Sequence, residues 1–365
     1  MFGQPAKIKY LEFEKGRRIL VISDIHGNLP YLKGILEKVG FCGDDYLIID
    51  GDFLEKGPSS MDTLHYIMEL SEAGNVYSLL GNCDEWHLIF NWGEKSDGHL
   101  QHYFRHRGYG LLFEMLTECG IDPLNCPHIS EHAAMLQERY AAEWEFLGSL
   151  PHAIITEDYI FAHAGMDGSK APEENLSDSF TVREAFMNEG QYFDKWIIVG
   201  HYPVVLYGED IVCANPIIDT EHHIVSLDGG CVLKDDGQLN CLIIPEAGST
   251  DFSFEYYDPF PTALVKSAQK EGGRSYYIRW GDSTVKVLER GEEFSRCRHL
   301  RTGYEMDILT KYLFTDGEET DCNDCTDYVL PLEAGDRVSI VETTSRGYFV
   351  KHNGVSGWYF GELSV

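Results

Sequence analysis

Positive charge is scarce in this chain. It carries 29 lysines and arginines against 60 aspartates and glutamates, for a formal net charge of -31. Such a chain repels nucleic acid at long range, so a nucleic-acid polymer is not expected as a partner. Long apolar runs are also missing. None approaches the roughly 20 residues of a membrane span. The opening "MFGQPAKIKYLEFEKGRR" lacks the apolar stretch of a secretory signal. A cytoplasmic protein with no membrane association is expected. Repeats and low-complexity tracts are absent too. Ten cysteines occur without an export signal, so most are expected as free thiols, several of them buried. One pair, Cys322 and Cys325 in "DCNDC", has CxxC spacing. A zinc ribbon needs a second pair, and none follows, which leaves a turn with two thiols.

What is present is a folding sequence. The 365 residues are 43% hydrophobic, which excludes disorder and gives room for more than one domain. "RRILVISDIHGN" reads as a buried strand ending in a polar loop. "LPYLKGILEKVG" follows with helical period and a terminal Gly. "DYLIIDGDF" is a second buried strand, "SSMDTLHYIMELSEAG" a second helix, and "VYSLLGNCD" a third strand. This alternation predicts a layered α/β core with functional groups at the carboxyl ends of the strands. From about 86 to 150 the pattern is helical. Short strands return in "AIITEDYIFAHAG", "WIIVGHYPVV", "HHIVSLDGGCV" and "LNCLIIP". The core domain is therefore set at 1–250, followed by a β-rich extension over 251–320 and a small β domain over 321–365.

Five of these strand ends offer metal-type ligands: Asp24 and His26 in "SDIHG", Asp52 in "DGDF", Asn82 in "LGNCD", His163 in "FAHAG" and His201 in "VGHYP". On an extended chain, residues i and i+2 share a side, so Asp24 and His26 can reach one ion. A carboxylate such as Asp52 can bridge two cations. Mixed N and O donors suit Mn, Fe or Zn better than Ca. Singly, each residue has an ordinary reading: Asp52 as a helix cap, a His beside Gly as a loop residue. In this order, each after an apolar strand, they point to a metal site.

The order D-x-H-G, G-D-x-x-x-x-G, G-N-x-D, H-A-G and G-H-x-P-V resembles the calcineurin-like metallophosphoesterases. It is most similar to the phosphoprotein phosphatase branch, with its bacterial Ser/Thr phosphatases and diadenosine tetraphosphatases. The resemblance spans roughly residues 17 to 248. It implies a four-layer α/β/β/α sandwich with a helical insertion at about 86–150, and a smaller all-β region after it. It also implies two divalent metal ions, with Mn expected and Fe, Zn or Mg as alternatives. Asp24, His26 and Asp52 would hold one, and Asp52, Asn82, His163 and His201 the other. The implied substrate is a phosphoprotein or a small phosphate ester. The last segment, "AGDRVSIVETTSRGYFVKHNGVSGWYFGEL", resembles a bacterial SH3-like domain, which implies a peptide ligand.

The sequence departs from the family at three places. "GDFLEKG" has Glu55 and Lys56 where the family carries Asp and Arg. Lys56 keeps the charge that grips phosphate but loses the bidentate fork. "FTVREAF" resembles the family's R-E-E-F helix and makes Arg183 the stronger phosphate ligand. "GNCDEWH" has Cys83 where the family has the His that protonates the leaving group. A thiol, with pKa about 8.5, is a poor substitute. His87, His99, His102 and His106 are other candidates for that proton. The chain is thus expected to be a dinuclear-metal phosphohydrolase of Ser/Thr phosphatase type. Cys83 favours a phosphodiesterase or dinucleoside polyphosphate hydrolase as the second reading. A non-catalytic phosphate- or peptide-binding module is the third.

Overall fold

The computed structural model describes residues 3–316 and 319–364, without the side chains of His87 and Asp316. Strands Ile19–Ile22, Tyr46–Asp50 and Val76–Leu79 run parallel, with Ile22 beside Ile49 and Asp50 beside Leu79. The antiparallel strands Leu239–Ile244 and Ser253–Tyr257 complete this five-stranded sheet on the other side of Ile19–Ile22. A second, six-stranded sheet has the order Ile8–Tyr10, Ala153–Ile155, Tyr159–Phe161, Trp196–Val199, Ile224–Ser226 and Ile217–Asp219.

Both faces of the central strands are covered, which is why they read as unbroken apolar runs. Ile19, Val21 and Ile48 meet Ile154, Phe161 and Val225 between the sheets. The alternate residues Leu20, Ile22, Leu47 and Ile49 face helices Leu29–Val39 and Ser60–Ser71. On the far side, Ile155, Ile197 and Ile224 pack on Phe180, Phe186 and Phe193. Two sheets between two outer layers make the α/β sandwich. Helix Leu29–Val39 shows the local logic. Pro30 opens it, Leu32, Ile35, Leu36 and Val39 form its buried stripe, and Gly40 ends it at φ 63.

The insertion holds a 3-10 segment, Asp84–Trp92, and helices Lys95–Arg107, Leu111–Glu118, Ala133–Arg139 and Ala141–Ser149. Its Leu100, Phe104, Leu112 and Met115 join the same apolar cluster as the first strands, so it has no separate core.

The chain forms two compact units. One takes in residues up to 203, with 216–233 and 238–258. The other takes in 204–215, 234–237 and the chain from 259 onward. The second unit is antiparallel β. A five-stranded sheet spans Thr284–Glu289, Phe294–His299, Glu305–Leu309, Leu313–Asp316 and Glu319–Cys322. A six-stranded sheet joins Arg337–Thr343, Tyr348–His352, Val355–Tyr359 and Leu363–Ser364 to Thr262–Val265 and Val212–Cys213. Asn353 and Gly354, at φ 50 and 78, make the two-residue hairpin turn that their sequence favours. All ten cysteines are free thiols, and Cys322 and Cys325 lie 3.9 Å apart at sulfur. Among the described residues, no helix is long and apolar enough to cross a membrane.

Candidate metal centre

The loop after Ile19–Ile22 and the loop after Tyr46–Asp50 run side by side. Asp24 N–H donates to Gly51 O at 3.1 Å, His26 N–H to Asp52 O at 2.9 Å and Gly27 N–H to Phe53 O at 2.8 Å. Asp24 and His26 are not extended here, as the i, i+2 argument had it. They take φ 55 and 51, and the kink turns both side chains inward. Asp52, Glu55 and Lys56 are also at positive φ, so five of the ten such non-glycine residues among those described lie in these two loops, and His201, after Trp196–Val199, is a sixth. Each costs on the order of 1–3 kcal/mol and persists only where the surroundings enforce it. Close backbone approach is part of that enforcement. A Cβ at Gly81 would collide with the Asp52 carboxylate, and one at Gly200 with that of Asp24.

Asp52 stands at the middle. Its Oδ2 lies 3.9 Å from His26 Nε2 and 3.9 Å from Lys56 Nζ. Its Oδ1 lies 3.3 Å from His163 Nε2 and accepts the Cys83 N–H at 2.8 Å. Asp24 Oδ1 is 3.7 Å from His26 Nε2, and Asp24 Oδ2 accepts the His201 N–H at 2.9 Å. The His163 and His201 rings are 5.1 Å apart. Ligand atoms of Asp52, His163 and His201 fall within 4.8 Å of one another, as do those of His26, Asp52 and Cys83. Asn82 joins this second group through its amide, which donates to Cys83 Sγ at 3.4 Å.

The neighbours orient these ligands. His163 Nδ1 donates to Asp50 O at 2.9 Å, which turns Nε2 toward Asp52. Asp84 accepts the N–H groups of Leu54 at 3.1 Å and Gly81 at 2.8 Å and so ties the second and third loops together. Asp24 Oδ1, His26 Nε2, Asn82 Oδ1 and His163 Nε2 are buried with no hydrogen-bond partner. A buried polar atom left unpaired costs about 1–3 kcal/mol, and here four such atoms belong to one constellation. These are donor atoms that a divalent cation of the Mn, Fe or Zn type accepts.

The electrostatics also call for positive charge. Burial and Asp228 push Asp24 well above the usual carboxylate range. Burial pushes Asp228 up to about 6 and Asp50 to about 7. Against its own burial, Asp52 is held well below the ordinary value by His163. Burial opposes a charged His163, but Asp52 and Asp24 raise it to about 10. Burial brings His26 and His201 down to about 3, so both rings are neutral and able to ligate. Burial and Asp52 push the Cys83 thiol well up, so it keeps its proton.

The other candidate residues lie elsewhere. Arg183 follows the short helix Ser177–Thr181 rather than lying in a helix. Its guanidinium is paired with Glu189, through Nε at 3.1 Å and through Nη2. His99, His102 and His106 are exposed on helix Lys95–Arg107, and His99 rests on Trp86 and Trp92. The His87 side chain lies outside the described residues. Two buried acids were missed from the sequence. Asp228 follows the apolar "IVSL" at its strand end, the same signal that marked the ligands, and its Oδ2 has no partner. Asp84 stood inside "GNCD" itself.

A family model of calcineurin-like phosphoesterases matches residues 17–227, more than half of the chain. The chain belongs to the calcineurin-like phosphoesterase family. Among curated relatives, a symmetrical bis(5'-nucleosyl)-tetraphosphatase of Neisseria gonorrhoeae is 27% identical over 41% of this chain and 55% of that protein. Its counterpart from Psychromonas ingrahamii is 27% identical over 34% of this chain and 45% of that protein. The chain thus spans about half the length of these relatives. Among solved structures, a metallophosphoesterase from Sphaerobacter thermophilus aligns with TM-score 0.40 and 19% identity, over 67% of this chain and 89% of that one. A protein serine/threonine phosphatase from Saccharomyces cerevisiae aligns with TM-score 0.42 and 13% identity, over 71% and 85%.

Proposed function

We propose that this chain is a metal-dependent phosphohydrolase that cleaves phosphate esters with activated water. One observation carries the reading: four unpartnered, buried donor atoms gather around a carboxylate whose two oxygens face different ligand groups. Asp24, His26 and Asp52 would hold one divalent cation, and Asp52, Asn82, His163 and His201 a second, with Mn the expected metal. Bound there, the cations supply positive charge to the phosphate oxygens and acidify a water.

The chain's own residues do the rest. Lys56 keeps its proton: burial opposes the charge, but Cys83 and Asp52 favour it, and this cation meets an anionic phosphate beside Asp52. Asp50, through its carbonyl, and Asp84, through two backbone amides, keep the ligand loops in place before substrate arrives. Arg183 binds phosphate only after leaving Glu189, which makes it the weaker of the two cationic grips in this arrangement.

Two substrate classes follow. The phosphatase reading takes phosphoproteins or small monoesters. The second takes dinucleoside polyphosphates or other diesters, and it is favoured by the relatives named as bis(5'-nucleosyl)-tetraphosphatases and by Cys83, which is no imidazole acid. The last strands, Arg337–Thr343, Tyr348–His352 and Val355–Tyr359, are antiparallel, and read as an SH3-like module they would take a peptide ligand. The test is a panel run with Mn²⁺ on phosphopeptides, aryl monoesters, aryl diesters and diadenosine tetraphosphate. Monoester turnover favours the first class, and diester or dinucleotide turnover the second. No turnover by metal-loaded protein rejects hydrolysis and leaves a binding module.

A further inference from the structure

The C-x-x-C pair has no part in the metal centre. In the β unit, Cys322 ends strand Glu319–Cys322 and Cys325 opens the short strand Cys325–Thr326, with Asn323 and Asp324 between them. The two sulfurs lie 3.9 Å apart, within hydrogen-bond reach of each other. Cys322 is buried in an apolar cluster with Ile278, Val285, Cys297 and Met306. Cys325 packs against the same cluster and stays partly exposed.

Neighbouring strands pin the turn. Cys322 lies opposite Leu313, and Cys325 opposite Ile278. The Cys322 N–H donates to Ser283 O at 3.1 Å, and the Asn323 N–H to Tyr312 O at 3.0 Å. Asp324 accepts the Lys234 ammonium and, at 2.9 Å, the Tyr277 hydroxyl on one carboxylate oxygen. The backbone that carries the sulfurs is therefore held before any bond forms. Joining them costs little further chain entropy.

The surroundings also set the kind of chemistry. A C-x-x-C pair that catalyses thiol exchange has a thiol pKa lowered by a helix N-terminus or a cation. Here the turn joins two strands. Contact with Cys322 and burial push the Cys325 thiol well above its ordinary value. It therefore attacks slowly. No stabilised thiolate favours the reduced form, so a disulfide once made is hard to reduce.

We propose that Cys322 and Cys325 form a reversible disulfide that latches this turn, with a small-molecule disulfide as the oxidant. Cys325, the partly exposed thiol, attacks one sulfur of the oxidant as thiolate. The oxidant's S–S bond breaks, and the departing thiolate takes the proton that Cys325 gave up. Cys322 then attacks the Cys325 sulfur and displaces the second small thiolate, which takes the Cys322 proton. Two protein thiols are oxidised, and one external disulfide is reduced to two thiols. The latch is independent of the hydrolytic reading above.

The experiment brings the full chain to equilibrium with glutathione and glutathione disulfide at set ratios, folded and in urea. Free thiols are then blocked with N-ethylmaleimide in denaturant, and the protein is cut with trypsin. Cleavage after Lys311 and Arg337 leaves Cys322 and Cys325 in one peptide with no other cysteine. From oxidised folded protein, that peptide should be two hydrogens lighter and unlabelled. Dithiothreitol should restore both labels. The glutathione ratio at half-oxidation should differ by about tenfold or more between the two states, the folded protein oxidising more easily. Cys325→Ser should leave Cys322 open to label at every ratio. Both cysteines labelled after oxidation of folded protein, a link to Cys297 instead, or equal ratios folded and in urea would each overturn the latch.

Discussion

The two units keep their buried polar groups in different condition. In the β unit Ser356 Oγ and Asp236 Oδ2 have no partner, but the larger buried groups His299 and Tyr359 are paired. His299 uses both ring nitrogens, toward Thr302 Oγ1 at 2.9 Å and Asp282 O at 3.0 Å. The buried Tyr359 hydroxyl donates to Ser267 O at 2.9 Å, and Ser295 meets Thr310 at 2.8 Å. In the phosphoesterase unit, buried donor atoms of Asp24, His26, Asn82 and His163 have no partner, and the loops that carry them are strained. A folded protein tolerates such costs where a ligand later relieves them. The β unit also has a residue at positive φ, Asn353, but it sits in a turn and serves the turn. Strain alone does not mark a site. Strain together with unpaired ligand atoms does.

The largest expected effect comes from removing the charge at the centre. Asp52→Asn should abolish turnover and release bound metal, read by elemental analysis beside kcat. Two metals retained per chain at full turnover would remove the cluster assigned here.

Next is the buried acid under the insertion. Glu55 sits at about 7 when folded, against an ordinary 4.5, because of burial. The folded state holds its proton more tightly than the unfolded state does. That stability is fully present below pH 4.5 and is lost as pH rises through about 7. The loss is on the order of 3 kcal/mol. Glu55→Gln should flatten the stability profile between pH 5 and 8, measured by denaturant melts at fixed Mn²⁺. Profiles of equal slope would mean that the carboxyl is not desolvated.

Arg183→Ala should cost about 1.5–3 kcal/mol of transition-state binding if the guanidinium leaves Glu189 for phosphate. Metal content should hold. Unaltered kcat/KM would assign the phosphate grip to Lys56.

The smallest effect sharpens the comparison from the other side. Asn353→Ala forces an alanine to φ 50 and should lower the stability of the β unit by about 1–2 kcal/mol. Metal binding and kcat should not change. A kinetic effect would tie that turn to the reaction.

Much of the candidate site could be read from the sequence because its signal is local. A buried strand is a short apolar run, and its carboxyl end is where the run breaks. Asp24, His26, Asp52, Asn82, His163 and His201 all stand at such breaks, and so does Asp228, which the same rule could have found. Residue type then limits the chemistry, since carboxylate, imidazole and amide oxygen are ligands before any geometry is known.

The tertiary structure alone decided where side chains meet. Glu55 and Lys56 are adjacent in one motif, yet one accepts the Leu111 N–H while the other faces Asp52. Nothing local says so, because the direction depends on positive φ enforced by distant contacts. Val212–Cys213 pairs with Val355–Tyr359, more than a hundred residues on. Arg183 stands in the motif read as a phosphate grip, but its guanidinium is paired with Glu189. Sequence patterns report burial and chemical type, which each residue carries with it. Convergence on a point is a property of backbone paths far apart in the chain, and only their packing sets it.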